Sequence, residues 1–388
     1  MRVFYVIPYW APPPFEARRD ERIYRERRIV ADAAAKGIDC RLYIFSDVPA
    51  LCQEHPEQPV WLVPFDGQGG SPFSYHSDEL LEIVNREAPD LVVVKGLGHK
   101  FTRWLMCKSQ SHFRIALIAA GNTQDPVLPY VDHVLAETPA QIQRPFRELD
   151  AAGRVSLLPK LNLPFPFSKQ RAPRYDVVNV GTFNPNKNQA ALLPLADRYR
   201  LALVGDGECW DGVCSQAATA VCPVFMPGNL PREQVGGVIA QSRLMVHSAK
   251  YEGLPRVVME AFAAGVPVVA SRRAMPGAFE HGVQGLLVEP ENLLEATRSL
   301  LEDPPRLAAM GLAASAYAER SCSEQAVFTE VSRMYAKAME RPPRYAGSWW
   351  QKVHILARST RMGGLSWARE LAVALGFKRV LIWLGMRK

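Results

Sequence analysis

Residues His247–Ser271, HSAKYEGLPRVVMEAFAAGVPVVAS, predict a strand, a turn, a helix and a second strand in succession. The apolar run that ends at Ser248 is typical of a buried strand. Pro255 suits the first turn of the helix, where its missing N–H costs nothing, and Gly265 indicates where that helix ends. A glycine-containing loop that enters a helix at the carboxyl end of a parallel strand favours an anion, because free N–H groups and the helix dipole attract negative charge. The segment therefore predicts a phosphate site.

Two carboxylates bracket this predicted phosphate site. Glu252 lies in the turn, and Glu260 lies about a turn and a half into the helix among apolar neighbours, where a carboxylate needs a partner or a ligand. Eight residues at about 1.5 Å rise per residue place the two Cα atoms roughly 10 Å apart, which is close to the span from a sugar ring to a ribose across a diphosphate. Because carboxylates accept hydrogen bonds from vicinal hydroxyl groups, Glu252 is a candidate for binding a hexose and Glu260 for binding a ribose.

Short runs rich in valine, isoleucine and leucine alternate with helical patterns along the chain. Such runs favour strands that are buried on both faces of a parallel sheet. The predicted strands are Arg2–Pro8, Cys40–Ser46, Val60–Phe65, Asp90–Gly96, Arg114–Gly121, His133–Thr138, Asp176–Phe183, Arg200–Gly205, Val224–Met226, Leu244–Ser248, Pro267–Ser271 and Gly285–Val288. A proline-rich linker, Leu158–Arg174, divides them. The pattern predicts an α/β protein with two Rossmann-like, doubly wound domains at 1–165 and 170–340, followed by a tail at 341–388.

The composition is that of a globular protein, since 48% of the 388 residues are apolar and 22% are charged. It excludes a disordered or collagen-like chain. The chain contains no run of about 18 apolar residues that would predict a membrane span. Its first residues lack the layout of a secretory signal, so we expect a cytoplasmic protein. The seven cysteines show no C-x2-C spacing, which favours reduced thiols over a disulfide framework or a zinc site.

Positive charge is concentrated in the tail. Residues 341–388 contain ten basic residues and one acid, whereas the rest of the chain contains 36 basic and 38 acidic residues. The tail also contains four of the eight tryptophans, Trp349, Trp350, Trp367 and Trp383. This pattern suits a helix on an anionic membrane surface, formed through 345–388, and it equally suits a helix that packs back on the first domain. Both alternatives stay open, and no nucleic-acid partner is expected because no recognised binding motif accompanies the basic residues.

Several motifs resemble one enzyme family. The succession Glu252-Gly253, Pro255, Glu260-Ala261 and AAGVPVV is similar to the E-x7-E region of retaining glycosyltransferases of the GT-B fold, especially glycosyltransferase family 4. Three further motifs match in order along the chain. They are NVGTFNPNKNQ (Asn179–Gln189), LVGDGE (Leu203–Glu208) and HGVQGLLVEP (His281–Pro290). The resemblance is specific over about 177–302 and implies two Rossmann-like domains that face a cleft, with the acceptor on the first and the nucleotide sugar on the second.

The resemblance also implies roles for individual residues. The catalytic candidates are Glu252 for the donor sugar, Lys187 for the donor diphosphate and His99, which follows a predicted strand of the first domain and has the alternative of a purely structural role. Glu260 would hold the nucleotide ribose. The other nucleotide-binding candidates are Gly181, Thr182, Lys250, Gly253 and Leu254. Thr182 replaces the arginine that the family has after this glycine, and we expect Lys250, ahead of Arg256 or Arg272, to supply the missing charge.

No metal or other cofactor is expected. The chain lacks a D-x-D motif, and Asp206-Gly207-Glu208, which comes nearest, belongs to the structural V-G-D-G match. Without a metal, the leaving diphosphate has to be neutralised by a lysine and a helix N-terminus. The donor is expected to be a UDP- or GDP-linked sugar.

The expected activity is metal-independent transfer of a sugar, with retention of configuration, to a cell-envelope polysaccharide, lipopolysaccharide or glycolipid intermediate. The acceptor is thus expected to be a saccharide or a lipid-linked saccharide, with the protein in the cytoplasm or on the inner face of the membrane. Two alternatives stay open. One is a non-catalytic GT-B binding protein, because Thr182 and Gly277 depart from the family pattern. The other is a sugar-nucleotide epimerase or hydrolase, which would consume the donor without an acceptor.

Overall fold

The computed structural model describes residues 1–8, 19–46, 51–52, 60–66, 72–119, 124–158, 160–161, 173–252 and 254–361. The chain divides into two compact units. Unit 1 contains Met1–Glu137, Gln141–Leu158 and the chain from Phe328 onward, and unit 2 contains Thr138–Ala140 and Pro159–Val327. Each unit is a Rossmann-like α/β structure around a parallel sheet, which confirms the predicted fold class.

Unit 1 is built on a sheet that is parallel except at one edge. Its described strands are β1 (Arg2–Ile7), β2 (Asp39–Phe45), β3 (Leu51–Cys52), β4 (Val60–Val63), β5 (Leu91–Lys95), β6 (Arg114–Ala119), β7 (His133–Ala136) and β8 (Val155–Leu157). They lie in the order β3-β4-β2-β1-β5-β6-β7-β8, and β3 pairs antiparallel with β4. The accompanying helices are α1 (Arg19–Ala35), α2 (Asp78–Glu87), α3 (Lys100–Lys108), α4 (Pro139–Gln143) and α5 (Arg147–Ala151).

Unit 2 is built on a sheet whose described strands are all parallel. They are β9 (Tyr175–Val180), β10 (Leu201–Val204), β11 (Val224–Phe225), β12 (Ser242–His247), β13 (Val268–Ser271) and β14 (Gly285–Val288). Their order is β11-β10-β9-β12-β13-β14, so the chain winds outward in both directions from the pair β9 and β12. The helices are α6 (Trp210–Ala217), α7 (Arg232–Ala240), α8 (Arg256–Ala263), α9 (Leu293–Leu301) and α10 (Pro304–Cys322).

Both faces of the unit 2 sheet are buried, which explains why its strands are continuous apolar runs. Val177 and Leu244 face one hydrophobic cluster, which includes residues of α9. Their chain neighbours Val178 and Met245 face the other, which includes residues of α8 and α10. Because alternate residues of a strand point to opposite faces, a sheet covered on both sides needs apolar residues at every position.

All twelve predicted strands are present. Gly285–Val288 has the predicted ends, and each of the other eleven differs by a residue or more at one end or both. The sequence analysis missed β3 and β8, which have only two and three residues. Pro255 is the N-cap of α8 and has an extended conformation, so it precedes the first helical turn instead of lying in it. Gly265 follows the C-cap Ala264 with a φ of +68° and ends the helix as predicted.

The end of the described chain packs on unit 1 from Phe328 onward, whereas the sequence predicted a second domain that continues to residue 340. Helices α11 (Glu324–Met339) and α12 (Trp349–Arg361) form this part of the chain. The Tyr335 hydroxyl donates a hydrogen bond of 3.1 Å to the Tyr5 hydroxyl of β1. Ile355 and Leu356 of α12 are buried in the unit 1 core. The described part of the tail, 341–361, thus packs on unit 1, and the choice between the two alternatives for the whole tail stays a prediction.

Residues 362–388, which carry two of the four tail tryptophans, lie outside the described residues. Among the helices that the structure describes, none is long and apolar enough to cross a bilayer.

Candidate donor site

The site candidates of unit 2 meet at the carboxyl ends of β9 and β12. The chain leaves these two adjacent strands in opposite directions, and such a switch point is where open α/β sheets bind ligands. Asn186, in the turn after β9, holds the loop after β12. Its carbonyl oxygen accepts a hydrogen bond from the Lys250 N–H at 2.8 Å, and its side chain pairs with the backbone N–H and C=O of Tyr251 at 3.0 Å each. Asn186 therefore fixes the two loops against each other.

This arrangement brings Lys187 and Glu252 together. The Lys187 ammonium donates to a Glu252 carboxylate oxygen, and each side chain is about one fifth exposed. The Lys187 turn is itself anchored, because the Ser248 hydroxyl donates to the Lys187 carbonyl oxygen at 2.7 Å and the Lys187 N–H donates to the Asn184 side chain at 2.9 Å. A cation and a carboxylate thus stand side by side at the switch point, held by both loops.

His247, at the end of β12, lies beside this pair and is 2% exposed. Burial, together with the positive charge of Lys187, lowers the pKa of His247 to about 3. The imidazole is therefore neutral at neutral pH. It adds no positive charge to the site, so the local cation is supplied by Lys187.

Glu260 lies in α8 and is 5% exposed. Its carboxylate accepts a hydrogen bond from the guanidinium of Arg232, the first residue of α7, and the Arg232 side chain is 12% exposed. Burial of an ionised carboxylate is costly unless it is paired and hydrogen-bonded. The Arg232 contact explains how Glu260 is accommodated among the apolar residues of α8.

Gly181 and Gly205 let the strand ends approach closely enough to form the site. A Cβ on Gly181 would lie 3.7 Å from the Cδ and Cε atoms of Lys187, so the lysine side chain runs directly past this glycine. A Cβ on Gly205 would lie 2.0 Å from the Gly181 carbonyl oxygen, and Gly205 has a φ of +136°. The V-G-D-G motif is therefore a packing motif that supports the β9 turn.

The remaining nucleotide-binding candidates have different surroundings. Thr182 is exposed and its carbonyl oxygen accepts a hydrogen bond from the Gln189 side chain at 3.1 Å. Lys250 is exposed, and the side chain of Leu254 is buried in the hydrophobic cluster with α8 and α10. Gly253 lies outside the described residues. At Leu254 it is therefore the backbone N–H, and not the side chain, that is available to a phosphate.

His99 belongs to unit 1, where it is the N-cap residue of α3 and is 4% exposed. Its ring stacks on Phe73 at a centroid distance of 4.8 Å. Gly96, at the end of β5, has a φ of +97°, and a Cβ there would lie 2.6 Å from His99 Nε2. The imidazole is thus packed closely against the β5 turn, which favours the structural alternative. A catalytic role stays a prediction.

Two groups of residues have side chains of the types that can bind metal ions. In the D-G-E segment, the Asp206 carboxylate accepts a hydrogen bond from the Gly207 N–H at 2.7 Å and its carbonyl oxygen accepts one from Phe183 at 2.9 Å, which agrees with a structural role. In unit 1 the ligand atoms of Asp66, His76 and Asp78 lie within 4.8 Å of one another, and both carboxylate residues are exposed.

Two residues of the site were missed by the sequence analysis. Asn186 lies inside the quoted NPNKN motif, so its position in a glycine-containing turn was the available signal. Arg232 had no comparable signal, because it lies 28 residues from Glu260 and belongs to a different helix.

The comparisons with known proteins agree with this geometry. Residues 165–316 match the family model described as "Glycosyl transferases group 1". The match covers most of unit 2 and shows that this segment is similar to the group 1 glycosyltransferases. The segment contains both ion pairs of the donor site, Lys187–Glu252 and Arg232–Glu260.

Two curated relatives match parts of the chain. The chain is 26% identical to the sulfoquinovosyl transferase SQD2 of Arabidopsis thaliana over 194 residues, and this match covers 46% of the chain and 36% of the relative. The chain is 37% identical to the D-inositol 3-phosphate glycosyltransferase of Corynebacterium aurimucosum over 120 residues, and this match covers 30% of the chain and 28% of the relative. The matches thus span about a third of the length of these relatives.

The solved structures include HepE of Anabaena in complex with UDP. It superposes with a TM-score of 0.65 and 17% identity, and the match covers 87% of this chain and all of HepE. At this identity the likeness concerns the fold. It confirms the predicted GT-B fold class, with two Rossmann-like units.

Proposed function

We propose that this protein is a glycosyltransferase that moves a sugar from a nucleotide-diphosphate sugar to an acceptor hydroxyl group. One observation carries the proposal: Lys187 and Glu252 pair at the switch point of unit 2, inside the segment that is similar to the group 1 glycosyltransferases. Ligands of open α/β sheets bind at such a switch point. Lys187 supplies a cation for a diphosphate, and Glu252, which it contacts, supplies a carboxylate for sugar hydroxyl groups.

The proposed chemistry follows from these groups. The bond from the anomeric carbon to the diphosphate oxygen breaks, and a bond from the acceptor oxygen to the same carbon forms. The proton of the acceptor hydroxyl group passes to the oxygen of the leaving diphosphate. Negative charge develops on the diphosphate, where Lys187 and the N–H groups at the start of α8 would stabilise it. Glu252 would exchange its contact with Lys187 for hydroxyl groups of the sugar, and Glu260 would bind the ribose. Positioning and leaving-group stabilisation would then account for the rate.

The finer features rest on the resemblance to family 4. It supports transfer with retention of configuration and without a metal. UDP is the favoured donor nucleotide, with GDP as the alternative, because HepE has been solved with UDP. The basic tail supports a cell-envelope or lipid-linked acceptor and a position on the inner face of the membrane.

Turnover of donor in the presence and absence of acceptors tests the proposal. UDP-glucose, UDP-galactose, UDP-N-acetylglucosamine and GDP-mannose would each be incubated with octyl glucoside or myo-inositol phosphate, and the products followed by proton NMR. We expect one donor to be consumed faster with acceptor than without it, and the α-linked donor to give an α-linked product. Donor consumption that is independent of acceptor, or an epimerised nucleotide sugar, would contradict the proposal in favour of a hydrolase or an epimerase.

A further inference from the structure

We propose that Arg232 is a positioning residue that holds the Glu260 carboxylate in the orientation that recognises the ribose 2′-hydroxyl group of the donor. This inference rests on the proposed function, because it assumes that a nucleotide binds at the carboxyl ends of the unit 2 strands. It goes beyond that function by assigning a role to Arg232, a residue of α7 that none of the sequence motifs contains.

The position of Arg232 in the sheet supports a role in binding. Helix α7 begins at Arg232, directly after the chain leaves the carboxyl end of β11, so its first turn lies on the ligand-binding side of the sheet. Glu260 lies in the second turn of α8, which starts at the carboxyl end of β12. The pair therefore links two adjacent crossover helices on the side where a nucleotide would bind.

A second ion-paired cluster of unit 2 provides a contrast. Asp176 pairs with Arg200 and Arg243 at 3.2 Å each, and these residues lie at or just before the amino ends of β9, β10 and β12. The Arg200 and Arg243 side chains are 51% and 26% exposed, against 12% for Arg232. The Asp176 cluster thus lies at the amino ends of the strands, away from the predicted ligand, and is more exposed. The Arg232–Glu260 pair lies on the side of the predicted ligand and is more deeply buried.

Stabilisation of the fold does not by itself explain why Arg232 and Glu260 are buried as an ion pair. Desolvation of two charges offsets most of their attraction, and apolar residues of similar volume often replace buried ion pairs without loss. A guanidinium contact to one carboxylate oxygen does, however, fix the plane of the carboxylate, because the donor geometry of arginine is rigid. A fixed carboxylate can accept a hydrogen bond from a ribose hydroxyl group without first losing rotational freedom.

The test measures discrimination between a ribonucleotide and its 2′-deoxy form. Whichever of UDP and GDP binds the wild-type protein more tightly is titrated calorimetrically beside its 2′-deoxy counterpart, against wild type, Arg232→Gln and Arg232→Lys. Since a hydrogen bond to a charged group contributes about 1.5–3 kcal/mol, we expect the wild type to bind the ribonucleotide about 10- to 100-fold more tightly than the deoxynucleotide. In Arg232→Gln the ratio should fall below about threefold, and in Arg232→Lys it should be partly restored, because the lysine keeps the charge and loses the rigid geometry.

Arg243→Gln is the matched control, since it removes an arginine from an ion pair of the same unit on the opposite side of the sheet. It should keep the wild-type ratio. A wild-type ratio in a folded Arg232→Gln protein, or equal weakening of both nucleotides in the glutamine and lysine variants, would overturn the inference and leave Arg232 with a structural role. If the wild type binds none of UDP, GDP, ADP and dTDP, the proposed function itself fails, and the inference fails with it.

Discussion

Replacing Lys187 with methionine is expected to lower kcat for sugar transfer by about 10²- to 10³-fold, the usual loss when one group that stabilises developing charge is removed. A hydrogen bond from Ser248 anchors the backbone of Lys187 in the turn after β9, and the Lys187 ammonium group contacts the Glu252 carboxylate. His247 beside it is neutral at neutral pH, because burial and, to a smaller extent, the Lys187 charge lower its pKa. Burial persists in the variant, so the imidazole is a poor substitute for the lost cation. Methionine keeps the unbranched shape and most of the length of the lysine side chain and removes the cation.

The control for this variant is Arg198→Met. It breaks an ion pair of the same unit, with Glu302, in which the side chains are 71% and 48% exposed. Surface pairs of this kind contribute little to stability, so kcat should stay within about twofold of wild type. Release of nucleoside diphosphate measures kcat, and a thermal melt shows that each variant is folded. Retention of wild-type kcat by a folded Lys187→Met protein would remove Lys187 from the proposed mechanism.

Replacing Gly205 with alanine is expected to produce the largest loss of stability in unit 2. The new Cβ would lie 2.0 Å from the carbonyl oxygen of Gly181, and the φ of +136° is one that residues with a Cβ rarely adopt. Backbone strain and overpacking each cost about 1–3 kcal/mol, so we expect a destabilisation of about 2–6 kcal/mol, measured as a lower midpoint of urea denaturation.

Gly212→Ala separates this steric effect from the general effect of adding a methyl group. Gly212 lies in α6, where an added Cβ would meet no atom within 4 Å beyond the backbone of its own helix, and alanine has the higher helix propensity. This variant should be as stable as wild type or more stable by up to about 1 kcal/mol. An unchanged urea midpoint in Gly205→Ala would mean that the close approach of the two loops is not required for the fold.

The sheets of both units could be predicted from the sequence because each long strand is buried on two faces. Such a strand is a continuous apolar run, as in Leu91–Lys95, and it is bounded by turn residues. The strands Leu51–Cys52 and Val155–Leu157 are too short to show a run and were missed. The candidate donor site could be located in part because Lys187, Glu252 and Glu260 belong to motifs that are continuous in the sequence.

The features that were missed depend on contacts between distant segments. The pairing of Arg232 with Glu260 joins two helices, and neither helix pattern depends on it. The passage of the chain from unit 2 to unit 1 at Phe328 left no signal in the sequence, because α11 continues through this position without a break. Its apolar face shows that it packs on a core, and the Tyr335 contact with Tyr5 shows which one. The helical pattern of α11 predicts that one face of the helix is buried, but it does not indicate against which unit.

Calorimetric titration of UDP, GDP, ADP and dTDP into wild type and Glu260→Gln tests most directly whether unit 2 binds a nucleotide-sugar donor. Glutamine keeps the shape of the side chain and removes the charge that Arg232 and a ribose would share. The account predicts that one nucleotide binds the wild type clearly more tightly than the others, and that the variant binds it about 10- to 100-fold more weakly, since a charged hydrogen bond is lost. Failure of the wild type to bind any of the four, or equal affinity in the variant, would contradict it.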